Sequence, residues 1–350
     1  MSDAAPFAAQ LLETSAAGYA SAAQALLRGT PDLGSNLAGD SIEWKTHLRQ
    51  RILELATAIR VGRPELFARR IGWLRRAIKA RGADDRAMRA VLESLRITLD
   101  RELPEQVKAT VEPPLRLAID SLDQDLEPEP QSLDPTTPRG KLGLQYLAAC
   151  LEAKPDKARQ LILDALDSGL TPQEAYTDVL LPAQREIGQL WHTGDVSVSE
   201  ERLVSESTRE LMTLIVNRFA AEPDARLTLL AASVEGNAHD IGLRAAADLF
   251  RIAGWRVVFL GADMPSDEIV QAAQSFEPRL VALSATLTTQ ISALAEAIDR
   301  IKRLERAPPV LVGGLALKDS DELWRELGAD AYAPDVASAL DIGSKLISPH

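Results

Sequence analysis

The sequence predicts a multidomain chain of α and α/β parts: an N-terminal all-α module, a four-helix bundle, and a C-terminal doubly wound parallel sheet of five strands. Three observations predict it. Apolar residues recur at helical spacing early in the chain, as in Ile52, Leu55, Ala56 and Ile59 and in Leu92, Leu95 and Ile97, with β-branched runs nearly absent. Pro128, Pro130, Pro135 and Pro138, interleaved with acidic residues, interrupt that pattern. After Pro223, short apolar runs alternate with helical stretches.

Residues 1–122 read as the helical module and residues 123–140 as a linker that neither continues a helix nor buries a core. Residues 141–222 read as the bundle. Within it Thr171, Pro172 and Glu174 spell a helix start: a hydroxyl cap, a proline where its missing N–H costs nothing, and an acid closing the capping box. Ser197 with Glu200 spells a second. Further helices are expected from Leu142, Asp156 and Leu180. Residues 226–347 supply the strands LTLLAA, RVVFLG, LVALSA, PVLVGG and ADAYAP, separated by helices such as GLRAAADLFRIAG. Five strands in this βα alternation, the one internal repeat, suit a flavodoxin-like order whose ligands bind outside the carboxyl ends of the strands.

Composition narrows the function classes. The chain has 350 residues, 46% hydrophobic and 26% charged, with a net charge of −12, which argues against a default binder of phosphate backbones. The single cysteine, Cys150, forms no intramolecular disulfide and no CxxC knuckle, which fits a reducing compartment. Cys150 lies in the apolar helix LGLQYLAACLEA and reads as inert core. The start MSDAAPFAAQLLETSAAG lacks a basic segment and a long apolar core, and no later stretch has the ~18 apolar residues of a membrane span, so a cytoplasmic protein is expected. No GxGxxG follows the first strand, which excludes that dinucleotide fingerprint. His47, His192, His239 and His350 are the only histidines, none paired with cysteine at zinc-ligand spacing.

The chemistry gathers at the predicted strand ends. The first strand runs into SVEGNAHDIG, which places Asn237, His239, Asp240 and Gly242 in the loop opening the next helix. The third ends in LSATLTT, with Ser284, Thr286 and Thr288, and the fourth in Gly313 and Gly314. Three loops thereby converge on one crevice.

Residues 226–347 resemble the cobalamin-binding domain of methionine synthase, corrinoid carrier proteins and B12-dependent photoreceptors, with the pattern DxHxxG, then SxL, then GG at these strand ends. The resemblance implies His239 as lower cobalt ligand, Ser284 as a contact to the displaced base, and Gly313 and Gly314 as room for the nucleotide tail. A neutral imidazole suits cobalt, and glycine lets backbone pass close to a bulky ligand. Two positions depart from the pattern: Asn237 replaces the aspartate that accepts the imidazole's other N–H, and Thr286 stands where leucine is usual.

Within the bundle, EIGQLWHTGDVSVSEERL supplies Trp191, His192, Val198, Glu201 and Arg202. It resembles the cap of light-sensing B12 repressors, WHx5VxxEH, which shelters the adenosyl group of adenosylcobalamin. The resemblance implies Trp191 over the upper face, Glu201 on the adenosyl ribose, and His192 as the upper cobalt ligand after light; Arg202 replaces the motif's final histidine.

The helical module is too short for a substrate-activating barrel, so the chain is expected to be a sensory or binding protein without a substrate site of its own. Its basic stretch, Arg60, Arg63, Arg69, Arg70, Arg75, Arg76, Lys79 and Arg81, is interrupted by Glu65, Asp84, Asp85 and Glu93, so no DNA-recognition helix is legible. The whole arrangement resembles photocobilins, photoreceptors that hold cobalamin and biliverdin. That implies biliverdin as second chromophore, with arginines and the aromatics Trp44 and Trp73 around it, a homo-oligomer, expected to be a dimer, and a separate output partner. A corrinoid methyl carrier for a methyltransferase is the alternative these residues leave open.

Overall fold

In the computed structural model, residues 4–28, 44–80, 82, 85–126, 131–318 and 322–347 are described. Arg81, Asp84, Pro128, Pro130 and His350 of the sequence reading lie outside them. The chain divides into two units, Met1–Glu129 with His192–Gly194, and Pro130–Trp191 with Asp195–His350.

The first unit is helical: α1 (Ala4–Arg28), α2 (Trp44–Arg60), α3 (Pro64–Ala80), α4 (Asp85–Glu102) and α5 (Glu105–Asp120), closed by a 3-10 turn at Ser121–Asp123. The buried stripe of α1 is mostly alanine, Ala8, Ala9, Ala16, Ala20 and Ala23 with Leu12 and Leu27. Small side chains let α2 lie close, and it answers with Leu48, Ile52, Leu55, Ala56 and Ile59. The basic stretch is built into this core. Arg51 forks onto Glu54 at 2.5 and 2.7 Å, Arg70 reaches the same carboxylate at 2.9 Å, and Arg75 forks onto Asp85 at 2.5 and 2.7 Å.

The second unit starts with a correction. Pro138, read among the linker prolines, is the first residue of α6 (Pro138–Leu151), because Thr137 caps it by accepting the Gly140 N–H at 3.0 Å. The segment before it is packed rather than loose: Leu133 is buried in the bundle core. Next come α7 (Pro155–Asp167) and α8 (Pro172–Glu174), the latter capped by the Thr171 and Glu174 box. The helix expected from Leu180 is present but does not start afresh. The chain runs from α8 through a π-helical turn, Ala175–Leu180, into α9 (Leu181–Thr193), because backbone N–H groups keep finding acceptors and no cap interrupts them. Ser197 and Glu200 form the box that opens α10 (Val198–Phe219).

Five parallel strands follow: β1 (Asp224–Val234), β2 (Trp255–Met264), β3 (Leu280–Ser284), β4 (Val310–Gly313) and β5 (Ala331–Ala333), in the order β2-β1-β3-β4-β5. They alternate with α11 (Ile241–Ile252), α12 (Ser266–Phe276), α13 (Ile291–Lys302), the short α14 (Leu323–Glu326) and α15 (Val336–Ile347). β3 is buried at every position, as a sheet covered on both faces requires. α11 is shared between two cores. Ala245 and Leu249 pack with the bundle, and Leu243, Ala247 and Phe250 pack with the sheet. Each such buried leucine or phenylalanine contributes ~1.5–3 kcal/mol. Among the described residues no helix is long and apolar enough to cross a membrane.

Candidate functional site

The sheet order reverses at β1, so the crevice lies where the loops after β1 and β3 part. Strand register fixes what stands there: Ser233 is level with Ser284, and Ser284 with Gly313. The ends of β1, β3 and β4 therefore carry the loops of Asn237, Ser284 and Gly313 side by side.

Hydrogen bonds lace those loops together. Asn237 is fully buried; its Nδ2 donates to the Ser284 carbonyl at 3.0 Å, and its Oδ1 accepts the His239 backbone N–H at 3.2 Å. Both recorded bonds of this amide go to backbone, so its role here is to hold two loops. The Ser233 hydroxyl donates to the His239 carbonyl at 3.2 Å. Buried Gln290 accepts from the backbone N–H groups of Thr286 and Leu287 at 2.7 and 2.8 Å and donates to the Gly236 carbonyl at 2.9 Å. Asp263, with φ +55°, accepts the Gly236 N–H at 2.6 Å and donates its own N–H to the Asn237 carbonyl at 3.0 Å. The loop that presents His239 is thereby fixed from three sides.

His239 itself is exposed. Desolvation by the surrounding protein lowers its pKa, opposed by the charges of Glu201 and Asp240. The ring is neutral at pH 7, with a nitrogen lone pair to give to a metal.

The glycines separate by role. A side chain on Gly314, at φ +105°, would put Cβ 2.1 Å from the Ala285 carbonyl oxygen, so the fold itself demands glycine. At Gly313 the same Cβ meets only the Ala333 carbonyl oxygen at 3.5 Å, and at Gly242 it meets nothing within 4 Å. The protein leaves space at both.

Of the cap residues, Glu201 is held by the Ser205 hydroxyl, which donates to it at 2.7 Å. Trp191 is 42% exposed and Val198 57% exposed, which takes both out of the apolar core. Arg202 is exposed on α10. Leu315, just past the paired glycines, is 61% exposed. His192 is grouped with the first unit, where it stacks on Trp73 with ring centroids 3.3 Å apart and donates from Nε2 to the Trp73 carbonyl at 2.8 Å. Cys150 is buried, and burial pushes its thiol pKa up, as an inert core residue requires.

A neutral imidazole at a switch point, open space beside Gly242 and Gly313, and large uncovered apolar side chains fit a bulky cofactor with one axial nitrogen position. Residues 227–341 match a family model described as a B12 binding domain, and residues 144–215 match a second with the same description. The chain carries B12-binding domains. It is 25% identical over 206 residues to a corrinoid protein of Desulfitobacterium hafniense, spanning 57% of this chain and 94% of that one. It is 26% identical over 244 residues to the HTH-type transcriptional repressor CarH of Myxococcus xanthus, spanning 69% of this chain and 80% of that one. Among solved structures, the Methanosarcina barkeri monomethylamine corrinoid protein aligns with TM-score 0.51 and 20% identity over 59% of this chain and 98% of that one, a likeness of fold.

The B12-binding reading gathers Asn237, His239, Asp240, Gly242, Ser284, Thr286, Thr288, Gly313 and Gly314 at adjoining strand ends. Sequence reasoning missed Ser205 and Ser233, whose partners four and six residues away follow no motif spacing, and Asp263 and Gln290, whose partner Gly236 is distant in the chain.

Proposed function

We propose that this chain is a B12-dependent photoreceptor. His239 would supply the nitrogen that holds cobalt, Gly313 and Gly314 would leave room for the nucleotide tail, Ser284 would contact the cofactor's base, and Trp191, Val198 and Glu201 would shelter the bound group. When bound, adenosylcobalamin supplies a light-labile cobalt–carbon bond. The observation that carries the reading is exposed His239 on a strand-end loop held by Asn237 and Ser233, with the cap's Trp191 and Val198 left outside the apolar core. An exposed tryptophan is poorly explained by packing alone and well explained by a lid.

The chain's own residues give the switch its parts. His192 is held by Trp73, so serving as a cobalt ligand would require it to leave that stack. That unit also concentrates Arg51 and Arg70 against the single carboxylate of Glu54, beside Trp73, a net-positive aromatic setting that suits the propionates and rings of biliverdin. The output is a change of dimerisation or of contact with a separate partner protein.

The second reading, a corrinoid methyl carrier, is favoured by the names of several relatives, among them the Methanosarcina barkeri methanol–corrinoid protein, 24% identical over 228 residues. Size-exclusion chromatography of the adenosylcobalamin-loaded chain separates the two. A photoreceptor acting through dimerisation changes elution volume on illumination; a carrier keeps it.

A further inference from the structure

We propose that Arg209 is a positioning residue that couples the cap helix α10 to the cobalt-facing loop, by gripping Asp240 and through it His239. This rests on the cobalamin reading above and adds to it a residue outside the cap and strand-end motifs.

Arg209 lies mid-way along α10, and its Nη2 donates to Asp240 Oδ1 at 2.8 Å, across to the loop that opens α11. Its Nη1 donates to Glu206 at 2.8 Å, which fixes the plane of the guanidinium. Asp240 is 6% exposed. It occupies the N-cap position of α11 but makes no side-chain capping bond, so the carboxylate is not spent on its own helix. Its other oxygen lies 3.7 Å from Arg244, too long for a good hydrogen bond. The bond to Arg209 is therefore the one that sets where the carboxylate, and the residue before it, can sit. A charge-assisted bond of this kind holds more firmly than a neutral one.

Glu201, one of the cap residues, and Arg209 lie on the same helix, eight residues or ~12 Å apart. Deeper in the fold α11 is held to the bundle by Ala245 and Leu249 and by the Tyr176 hydroxyl, which donates to Asp248 at 3.2 Å. The body of α11 is thus anchored, and Arg209 governs its loop end. A displacement of α10 would be delivered through Arg209 to Asp240, and so to His239.

The test uses the full chain, its histidines labelled with 15N, loaded with cob(II)alamin and read by electron paramagnetic resonance, in which coordination by a labelled histidine splits each cobalt line into a doublet and the cofactor's own base would give a triplet. Wild type is expected to show the doublet splitting. Arg209→Met is expected to lose most of it and to bind cob(II)alamin about tenfold more weakly, as loss of a ligand's supporting partner does. Arg209→Lys restores the splitting in part, Asp240→Asn reproduces the loss, and the double variant Arg209→Met with Asp240→Asn is no worse than either single one. Thermal melts of each apo variant accompany the spectra, and if Arg209→Met does not fold, Asp240→Asn, which preserves shape, and Arg209→Lys decide. Full wild-type splitting and affinity in Arg209→Met, or in Asp240→Asn, overturns the coupling while leaving the cobalamin reading intact. Absence of the doublet in the wild type overturns that reading and the coupling with it.

Discussion

The buried side-chain amide of Asn237 donates to the carbonyl oxygen of Ser284 across 3.0 Å, joining the loop that presents His239 to the end of β3. The resembling domains carry aspartate at this position, and a carboxylate has no proton to donate there. Asn237→Asp would set two acceptors against each other in a buried place. We expect the apo protein to lose on the order of 1–3 kcal/mol at pH 7 and to regain part of it at pH 5, where a protonated acid again donates. Urea unfolding at the two pH values measures this, and equal loss at both refutes the account of the amide.

Gly314 and Gly313 are neighbours with different reasons to be glycine. Gly314→Ala is expected to destabilise the apo protein by about 2 kcal/mol or more, since its Cβ would strike the Ala285 carbonyl from a positive φ. Gly313→Ala is expected to leave apo stability within about 0.5 kcal/mol and to weaken cobalamin binding, because its methyl enters space that the protein does not use. Thermal melts and cobalamin titration of both variants check the contrast.

Asp248 on α11 accepts from Tyr176 and from Arg251 at 3.2 and 2.8 Å, and burial pushes its pKa up to about 6 against the pull of Arg251. The folded state then holds this proton more tightly than the unfolded chain. Its contribution to stability is present below pH 4, falls as pH rises through about 6, and is flat above, by about 3 kcal/mol at most. Asp248→Asn is expected to remove that slope from the second unit, which unfolding at pH 4.5 and pH 7 would show.

His47 in the first unit has the opposite sign. Burial, followed by the charges of Arg51 and Arg70, holds its pKa down to about 3. The unfolded chain binds the proton first, so stability is full above pH 6.5 and is lost as pH falls, by about 2 kcal/mol at pH 5. Circular-dichroism unfolding of His47→Gln is expected to lack this acid-side loss.

Much of the fold was legible because its signals are local. The capping boxes at Thr171 and Ser197 and the alternation that yields β1 to β5 each lie within a few consecutive residues. The strand-end motifs around His239, Ser284 and Gly313 were legible for the same reason, and parallel register brings them level. Pro138 was misread because a proline breaks a helix in its interior but starts one after a cap, and only the Thr137 bond distinguishes the cases. The π turn at Ala175–Leu180 carries no composition signal. Gln290, Asp263 and Arg209 act on partners 27 to 54 positions away, which only the closed fold brings within reach.

The central claim is that His239 carries cobalamin in a light-responsive site. Its most direct test is the light-minus-dark absorption spectrum of the chain loaded with adenosylcobalamin, beside that of His239→Ala. The account predicts a light-driven change in the cobalt bands of the wild type, and in the variant a spectrum lacking histidine coordination. Bound cobalamin with no light response in the wild type, or an unchanged spectrum in His239→Ala, would contradict it.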